Sequence, residues 1–290
     1  MRAVNPGWVS MEERFISEQS VLQRPKEAFR EWKQSVHFTL PLGWQLAQRD
    51  MQARYRQTLL GYLWAVLPAL GATAAFMLMK SSKILNVGET TIPYPVYVFV
   101  GSLFWQLFTT SLSRPIEVVQ VNRNVMAKIQ FPRLSLLVAA LLLVLYDTLI
   151  KLCLLPLIFL AFGSWPDADI VYLPLVLLAF IFLGNAIGIL LSPLNLIFHD
   201  VKIVIPIIMA VLVLLTPVGY VTPETGWLKT IVELNPLTSL IDAARGSLSS
   251  MPMPPLMSWG LTGLLSGIFM VVSVVVYLVS LPIIIERQSA

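Results

Sequence analysis

The stretch ARYRQTLLGYLWAVLPAL, residues 53–70, passes from a basic half to an apolar half with no loop between them. Arg54, Arg56 and Gln57 run directly into Leu59 and a segment of apolar and aromatic residues. A soluble amphipathic helix would instead keep its polar residues along one face over its whole length. The stretch therefore predicts a junction, where a helix at a membrane surface continues into a segment that enters the bilayer.

The composition of the whole chain agrees with a membrane protein. Of its 290 residues, 57% are hydrophobic and only 12% are charged, whereas soluble domains carry about 25% charged residues. The mean hydropathy is +0.76, and apolar runs long enough to cross about 30 Å of hydrocarbon recur along the chain. These values exclude a soluble globular domain and predict an all-α polytopic membrane protein.

We predict six transmembrane helices and two parts of the chain, a cytoplasmic segment over residues 1–56 and a transmembrane domain over 57–290. Asp147 and Lys151 interrupt the third apolar run, but each half is too short to span alone, so one long helix is expected there. The predicted spans cover residues 61–79, 93–112, 134–162, 172–198, 203–221 and 259–285.

The distribution of basic residues predicts the orientation of these spans. Fifteen of the 20 Lys and Arg residues lie in the two terminal segments and the connections on one side, and four lie on the other. Basic connections stay in the cytoplasm. We therefore expect a multi-pass protein with both termini in the cytoplasm.

The N-terminal segment contains an amphipathic pattern just before the first span. Its apolar residues recur at helical spacing and are Leu40, Trp44, Ala47, Met51 and Tyr55. A separate polar stripe contains Gln45, Arg49, Gln52 and Arg56. A basic helix with Trp and Tyr on its apolar side is typical of the membrane interface. The alternative is a solvated cytoplasmic tail.

A second amphipathic region, residues 222–255, separates the fifth and sixth predicted spans. It is too polar to span, and Asn235–Pro236 interrupts it because Pro cannot continue a helix from the preceding residue. Two short helices on either side of this break predict a re-entrant or interfacial hairpin on the outer side. Such backbone is tolerated at membrane depth only beside protein or a water-filled cavity. The alternative is a loop on the surface.

The sequence gives no catalytic machinery. It lacks the Gly-rich phosphate-binding motif that ends in Gly-Lys-Ser/Thr. His37 and His199 are the only histidines and Cys153 is the only cysteine, so no zinc site is expected. We therefore predict a non-catalytic membrane subunit that binds no metal or cofactor. If it moves a solute uphill, ATP must be hydrolysed by another polypeptide.

Asp147 and Lys151 are four residues apart in the third predicted span, with the acid first, which is the favourable order for a helical ion pair. Ionisable residues within spans face the protein interior and are candidate functional residues. We interpret them as an intramembrane ion pair that orients the helix. A proton relay or a substrate contact is the alternative.

Aromatic residues are concentrated in the first two predicted spans. Rings stack on the apolar faces of sugars while their polar groups reach hydroxyls, so a path lined by aromatics suits a sliding glycan. Rings at span ends are more often part of an interfacial belt. The candidate channel-lining residues are Tyr62, Trp64, Phe76, Trp105 and Phe108.

Five segments in order resemble the bacterial ABC polysaccharide-export permeases, which include O-antigen and teichoic-acid exporters. The first is RDMQARYRQTLLGYLWAVLPAL at 49–70, similar to the opening pattern of that family. The other four are IPYPVYVFVG at 92–101, QFPRLSLL at 130–137, LNLIFHDVKIVIPII at 194–208 and LNPLTSLIDAARGSL at 234–248. One departure is His199-Asp200, where the family commonly has Arg-Asp, so any salt bridge assigned to that Arg is in doubt.

The resemblance implies a homodimer in the bacterial inner membrane, docked to a separate ABC ATPase dimer that holds ATP and Mg²⁺. It implies that ATP hydrolysis moves a lipid-linked glycan of the O-antigen, teichoic-acid or capsule type outward through a channel between the two permeases. In lipopolysaccharide biosynthesis such a step delivers O-antigen across the inner membrane. Membrane lipids are the other expected partners, and nucleic acid is not.

The resemblance also assigns roles to residues. The interfacial helix becomes a gate helix, whose candidate headgroup residues are Trp44, Arg49, Arg54, Tyr55 and Arg56, since arginine pairs strongly with phosphate. The alternative is that these arginines bind anionic lipid and fix topology. The implied ATPase contacts are Asn122, Arg123, Lys128, Arg133, His199 and Asp200. The implied outer gate contains Trp227, Asn235 and Pro236.

Three other functions compete with glycan export. An ABC exporter of small lipophilic compounds would share the broad fold but would be expected to lack the interfacial helix and the crowded aromatics. A proton-coupled carrier using Asp147 and Lys151 would need no ATPase, and such carriers often contain internal repeats, which the sequence lacks. A membrane-embedded glycosyltransferase is disfavoured because no cytoplasmic connection carries an acidic pair for a metal-bound nucleotide.

Overall fold

A computed structural model describes residues 25–55, 61–82, 88, 90–128, 132–222 and 225–289. Within these ranges the regular elements are all helical, as expected. In chain order the α-helices are α1 (Pro25–Tyr55), α2 (Leu67–Ser81), α3 (Tyr94–Val121), α4 (Arg123–Lys128), α5 (Leu134–Leu152), α6 (Leu155–Phe162), α7 (Leu173–Ile197), α8 (Asp200–Leu212), α9 (Trp227–Leu234), α10 (Pro236–Leu248) and α11 (Leu256–Ser289). Short 3-10 helices at Gly61–Ala65 and Ala168–Tyr172 precede α2 and α7.

The chain divides into two compact units, Met1–His37 and Phe38–Ala290. The first is described only as helical backbone from Pro25 onward. All side-chain contacts discussed below lie within the second unit.

In the described part of the chain, four helical segments are long and apolar enough to cross a membrane. They are Tyr94–Val121, Leu134–Phe162, Ala168–Ile197 and Leu256–Ile285. They correspond to the second, third, fourth and sixth predicted spans. The third has the bounds that the sequence predicts, although its helix is interrupted between α5 and α6, where Pro156 lies in the first turn of α6.

The first and fifth predicted spans contain shorter helices than expected. The first is divided into the 3-10 helix Gly61–Ala65 and α2, which has 15 residues and begins with Pro68 in its first turn. The fifth contains α8, which has 13 residues and gives way to turns before Pro217. At 1.5 Å per residue, helices of these lengths extend only about 20 Å. Six helices of full spanning length are therefore not confirmed.

Helix α3 lies at the centre of the second unit and packs against α2, α5, α7 and α10. It contacts α7 closely, and a Cβ on Gly184 would lie 2.8 Å from the carbonyl oxygen of Phe108. Small residues permit this approach of two helices. Phe99, Phe104 and Phe180 are buried in the resulting core. Helix α11 instead keeps most of its apolar side chains exposed.

The described end of α1 packs on the rest of the unit through its small side chains. Thr39, Gly43 and Ala47 are buried, whereas Leu40 and Trp44 are 60% and 50% exposed. The buried stripe is thus the small-residue side of the helix. The apolar face expected from the sequence is left uncovered, as contact with lipid would require.

Candidate functional site

A polar cavity of about 440 Å³ lies where the end of α1, the start of α2, α3 and α5 meet. Helices α1, α3 and α5 contribute charged or polar side chains that would be costly to bury without a partner. The lining residues are Arg54, Trp64, Ala65, Pro68, Gln106, Thr109, Thr110, Arg114, Asp147 and Lys151. Helical spacing explains part of this set, since Gln106, Thr110 and Arg114 follow one another every four residues along α3.

Asp147 is the centre of an ion-pair network at this cavity. Its Oδ2 accepts hydrogen bonds from Arg114 Nη2 and from Arg54 Nη1, the latter at 3.3 Å. Arg114 Nη1 also donates to Glu117 Oε2 at 2.8 Å, and Arg54 Nη2 lies 3.8 Å from the same oxygen. Three helices, α1, α3 and α5, are therefore joined through two arginines and two carboxylates.

The network extends the pairing suggested by sequence spacing. Lys151 lies one turn beyond Asp147 and interacts with its charge, and Asp147 also makes ion pairs with arginines from two other helices. Lys151 is 6% exposed and points to the cavity. Sequence reasoning assigned no role to Arg114 and Glu117. Their separation of three residues was the available signal that they share a helix face.

The expected headgroup residues are brought together only in part. Arg54 lines the cavity, whereas Arg49 Nη2 donates to Asn122 Oδ1 at 3.0 Å and its guanidinium pairs with Asp50. Trp44 lies on the exposed face of α1. The Tyr55 side chain and Arg56 lie outside the described part of the chain.

The aromatic residues have different environments. Trp64 is 55% exposed and forms part of the cavity wall. Phe76 and Trp105 are half-buried, and Phe108 is a core residue whose ring contacts that of Trp105 at 5.9 Å between centroids. The Tyr62 side chain lies outside the described part. Among these rings, the structure thus places Trp64 at the cavity.

The residues expected to contact an ATPase are divided between surface and interior. His199 and Asp200 are exposed at the start of α8, and Arg123 is half-buried at the start of α4. Asn122 is only 1% exposed and holds Arg49, so its side chain lies inside the molecule. Because Asn122 directly precedes α4, its hydrogen bond with Arg49 nevertheless joins α1 to the connection that begins with α4. The backbone carbonyl of Arg133 accepts from Tyr277 Oη, and the Lys128 side chain is outside the described part.

Two short helices, α9 and α10, lie on either side of Asn235, as the sequence predicts. Asn235 Oδ1 accepts from the backbone N–H of Leu237, which caps α10, and Nδ2 donates to Thr216 Oγ1 at 2.8 Å. Pro236 begins α10, where its missing N–H costs nothing. Trp227 is 74% exposed.

Sequence reasoning missed Arg245, which is fully buried in α10. Its Nη2 donates to the carbonyl oxygens of Pro217 and Val218, each at 2.7 Å, and its Nη1 donates to Tyr97 Oη at 2.9 Å. The guanidinium also lies 3.6 Å from the centroid of the Tyr97 ring. Burial raises the pKa of Asp242, and the nearby Arg245 charge opposes that shift. Arg245 therefore ties α10 to α3 and to the turns after α8.

The long apolar helices define an integral membrane protein, and comparison with known proteins gives its family. The family described as ABC-2 type transporter matches residues 42–249, so the chain belongs to that family. It is 28% identical over 200 residues to the O-antigen export system permease protein RfbA of Myxococcus xanthus, covering 68% of this chain and 75% of that protein. Two Klebsiella pneumoniae proteins of the same name are 29% and 27% identical over 205 residues, with the same coverage. The resemblance to ABC polysaccharide-export permeases is confirmed.

Proposed function

We propose that this chain is the permease subunit of an ATP-driven exporter that moves a lipid-linked glycan outward across the inner membrane. The observation that carries the proposal is the similarity to three O-antigen export permeases over about two thirds of the chain. The cavity supports it, because arginine and lysine suit a phosphate while Trp64, threonine and glutamine side chains suit a sugar. Nucleotide hydrolysis takes place on a separate ATPase dimer, as the resemblance to ABC polysaccharide-export permeases implies.

We propose six membrane crossings with both termini in the cytoplasm. The first crossing combines the 3-10 helix Gly61–Ala65, about 10 Å long at 2.0 Å per residue, with α2, about 22 Å long at 1.5 Å per residue. Together they match the hydrocarbon thickness of about 30 Å. The fifth crossing combines α8 with the turns that follow it, whose carbonyl groups are bound by Arg245. Protein contacts of this kind permit irregular backbone at membrane depth.

Helix α1 acts as a gate helix linked to the ATPase-facing side. Its exposed Leu40 and Trp44 contact lipid, and Arg49 holds Asn122 directly before α4. The exposed His199 and Asp200, together with Arg123, contact the ATPase. A movement imposed on the 122–133 connection would therefore reach α1 through one hydrogen bond.

The channel forms between two copies of the chain. A single copy leaves Leu63, Trp64, Leu67 and Leu70 between 37% and 56% exposed, and an apolar stripe of this kind needs lipid or protein beside it. The glycan passes Trp64 and then Phe76 and Trp105 along the path, while the Phe108 ring contacts Trp105 from the core. Helices α9 and α10 form the re-entrant outer gate around Asn235 and Pro236.

The same observations weigh against the competing functions. A small lipophilic substrate would have no use for the three basic residues that line the cavity. A proton-coupled carrier does not fit the family, whose description is that of an ABC transporter.

The proposal is tested by deleting the coding sequence in its native cell and restoring it with wild-type or Trp64→Ala chains. We expect deletion to abolish surface glycan and to leave lipid-linked glycan on the cytoplasmic side, where glycosidase reaches it only in inside-out vesicles. Wild type restores export, and Trp64→Ala restores it poorly. Normal surface glycan after deletion would refute the proposal.

A further inference from the structure

We propose that Gln120 and Asn195 are positioning residues that hold the C-terminal ends of α3 and α7 in a fixed register. Asn195 Nδ2 donates a hydrogen bond of 3.1 Å to Gln120 Oε1. Each residue lies in the last turn of its helix, and the helices lead into the two connections assigned to the ATPase, one through α4 and one through the start of α8. The pair therefore sets where the two connections begin relative to each other. The ATPase assignment rests on the proposed function, whereas the register does not.

Helices α3 and α7 run parallel and are in contact at two levels. At the first level a Cβ on Gly188 would collide with the carbonyl oxygen of Leu112, so the two backbones touch. The polar pair is the second level, about 11 Å further along both helices at 1.5 Å per residue. Glycine permits the close approach but supplies only van der Waals contact. A side-chain hydrogen bond requires one distance and one direction, so it opposes sliding and splaying of the two helix ends.

The surroundings of the pair indicate a role other than stability. Val119 and Leu196, which adjoin the pair in the chain, belong to one buried apolar cluster. Asn195 is 2% exposed, and its Oδ1 has no hydrogen-bond partner in the described part of the chain. An unpartnered buried acceptor lowers stability. The best-attested role of buried polar groups that are kept at such a cost is to fix the register of packed helices.

Two other buried polar residues of α7 provide a contrast. Asn185 Nδ2 donates to the carbonyl oxygen of Ile181, and Ser192 Oγ donates to that of Gly188. Both bonds stay within α7, because each reaches the preceding turn of the same helix. Asn195 instead donates to α3, so it links the positions of the two helices.

Three helices are joined through this pair at the same end of the second unit. Asn122, two residues beyond Gln120, accepts a hydrogen bond from Arg49 of α1. A displacement at either connection therefore reaches α3, and the second connection moves with the first. Without the pair, the ends of α3 and α7 should move independently, and the two connections should lose their fixed spacing.

The test measures the distance between two spin labels, one on each connection, in the full chain in nanodiscs. The labels are attached after Asn124→Cys and His199→Cys, at exposed positions of α4 and of the residue before α8. Cys153→Ser removes the one native cysteine, and an excess of unlabelled chain keeps labelled copies apart. With Gln120 and Asn195 in place, we expect one narrow distance distribution.

Asn195→Leu and Gln120→Leu should each broaden the distribution by at least about 2 Å, the size of helix shifts at packed interfaces. Asn185→Leu is the matched control, since it makes the same change at a buried asparagine bonded within α7, and it should leave the distribution narrow. If Asn195→Leu does not fold, Gln120→Leu carries the test at a half-buried position.

Two further measurements separate register from folding. The double variant Gln120→Asn with Asn195→Gln exchanges the two amides and keeps their combined length, so it should restore the narrow distribution. Asn195→Leu should unfold at the wild-type temperature or higher, because the unpartnered Oδ1 is removed. In the complex with the ATPase, Asn195→Leu should lower the glycan exported per ATP hydrolysed severalfold, and the exchanged pair should restore it.

A narrow distribution in Asn195→Leu, equal broadening by Asn185→Leu, or no recovery in the exchanged pair would overturn the proposal. A lower unfolding temperature for Asn195→Leu would assign the bond to folding and overturn it as well. Because the spin-label distance needs neither the ATPase nor glycan, these results would leave the proposed function standing. Distances that behave as expected, in a chain that exports no glycan, would do the reverse.

Discussion

Arg49 on α1 donates a hydrogen bond of 3.0 Å to Asn122 Oδ1, at the C-terminal end of α3. Asn122 is held in turn, because its Nδ2 donates to the carbonyl oxygen of Val118 at 2.8 Å. Helix α1 is thus bonded to the residue that precedes α4, and α4 begins the connection proposed to meet the ATPase. One side-chain contact joins the two moving parts of the proposed mechanism.

Breaking this contact should uncouple transport from ATP hydrolysis. We expect Arg49→Ala and Asn122→Ala to lower the glycan exported per ATP hydrolysed severalfold, while the ATPase rate of the complex stays within about twofold. The double variant should be little worse than either single variant, because both remove the same bond. Gln48→Ala, an exposed neighbour on α1, is the control. Strictly additive losses would contradict a shared contact.

Arg245 should be essential for stability. Replacing it with Met removes the donor from two buried carbonyl oxygens in the turns after α8, those of Pro217 and Val218. Each orphaned acceptor costs about 1–3 kcal/mol, so the free energy of unfolding should fall by at least about 2 kcal/mol. Arg245→Lys should not restore it, because an ammonium lacks the planar set of donors.

The free energy of unfolding of Arg245→Met is measured in detergent and compared with that of Lys229→Met as the control. Lys229 makes a surface ion pair with Glu233, and such pairs contribute about 0–1 kcal/mol. Equal stability losses in the two variants would show that the guanidinium bonds do not hold α10 in place.

Two glycines should respond in opposite directions to alanine. A Cβ on Gly101 would collide with the carbonyl oxygen of Val218 and lie 2.7 Å from Arg245 Nη2, so Gly101→Ala should destabilise the protein by about 1–3 kcal/mol. Gly71, inside α2, has no atom within 4 Å of such a Cβ. Gly71→Ala should therefore stabilise the helix by about 0.5–1 kcal/mol. Thermal unfolding measures both, and a tolerated Gly101→Ala would argue against the close approach.

Trp64 should matter for transport and little for folding. Since its side chain is 55% exposed and lines the cavity, Trp64→Ala should reduce glycan export about tenfold or more without a large change in thermal stability. Trp165→Ala provides the comparison, because Trp165 is 59% exposed in the connection after α6, away from the cavity. Equal glycan export by both variants would contradict a role for the Trp64 ring in transport.

Apolar runs and helix breakers predicted much of this fold. The four segments of spanning length and the break at Asn235 follow directly from local sequence. The short lengths of α2 and α8 do not follow from local sequence in this way. Hydropathy indicates that a segment avoids water, but it does not indicate whether the backbone of that segment stays helical. Pro68 and Pro217 were the local signals that the helices would be limited.

The site was less predictable than the fold. Spacing placed Asp147 beside Lys151, and tertiary packing brought Arg54 and Arg114 to the same carboxylate. Arg54 and Asp147 are 93 residues apart in the chain, so no local pattern could pair them. The role of Arg245 was missed for the same reason, since its partners come from α3 and from the turns after α8.

The most direct test of the proposed function is transport by proteoliposomes that contain this chain and its partner ATPase. Lipid-linked glycan is supplied in the outer leaflet, and its transfer to the lumen is followed by protection from added glycosidase. We predict that ATP together with both proteins gives protected glycan, and that omitting ATP or either protein gives none. Glycan that remains fully accessible under all conditions, or transfer without the ATPase, would contradict the account.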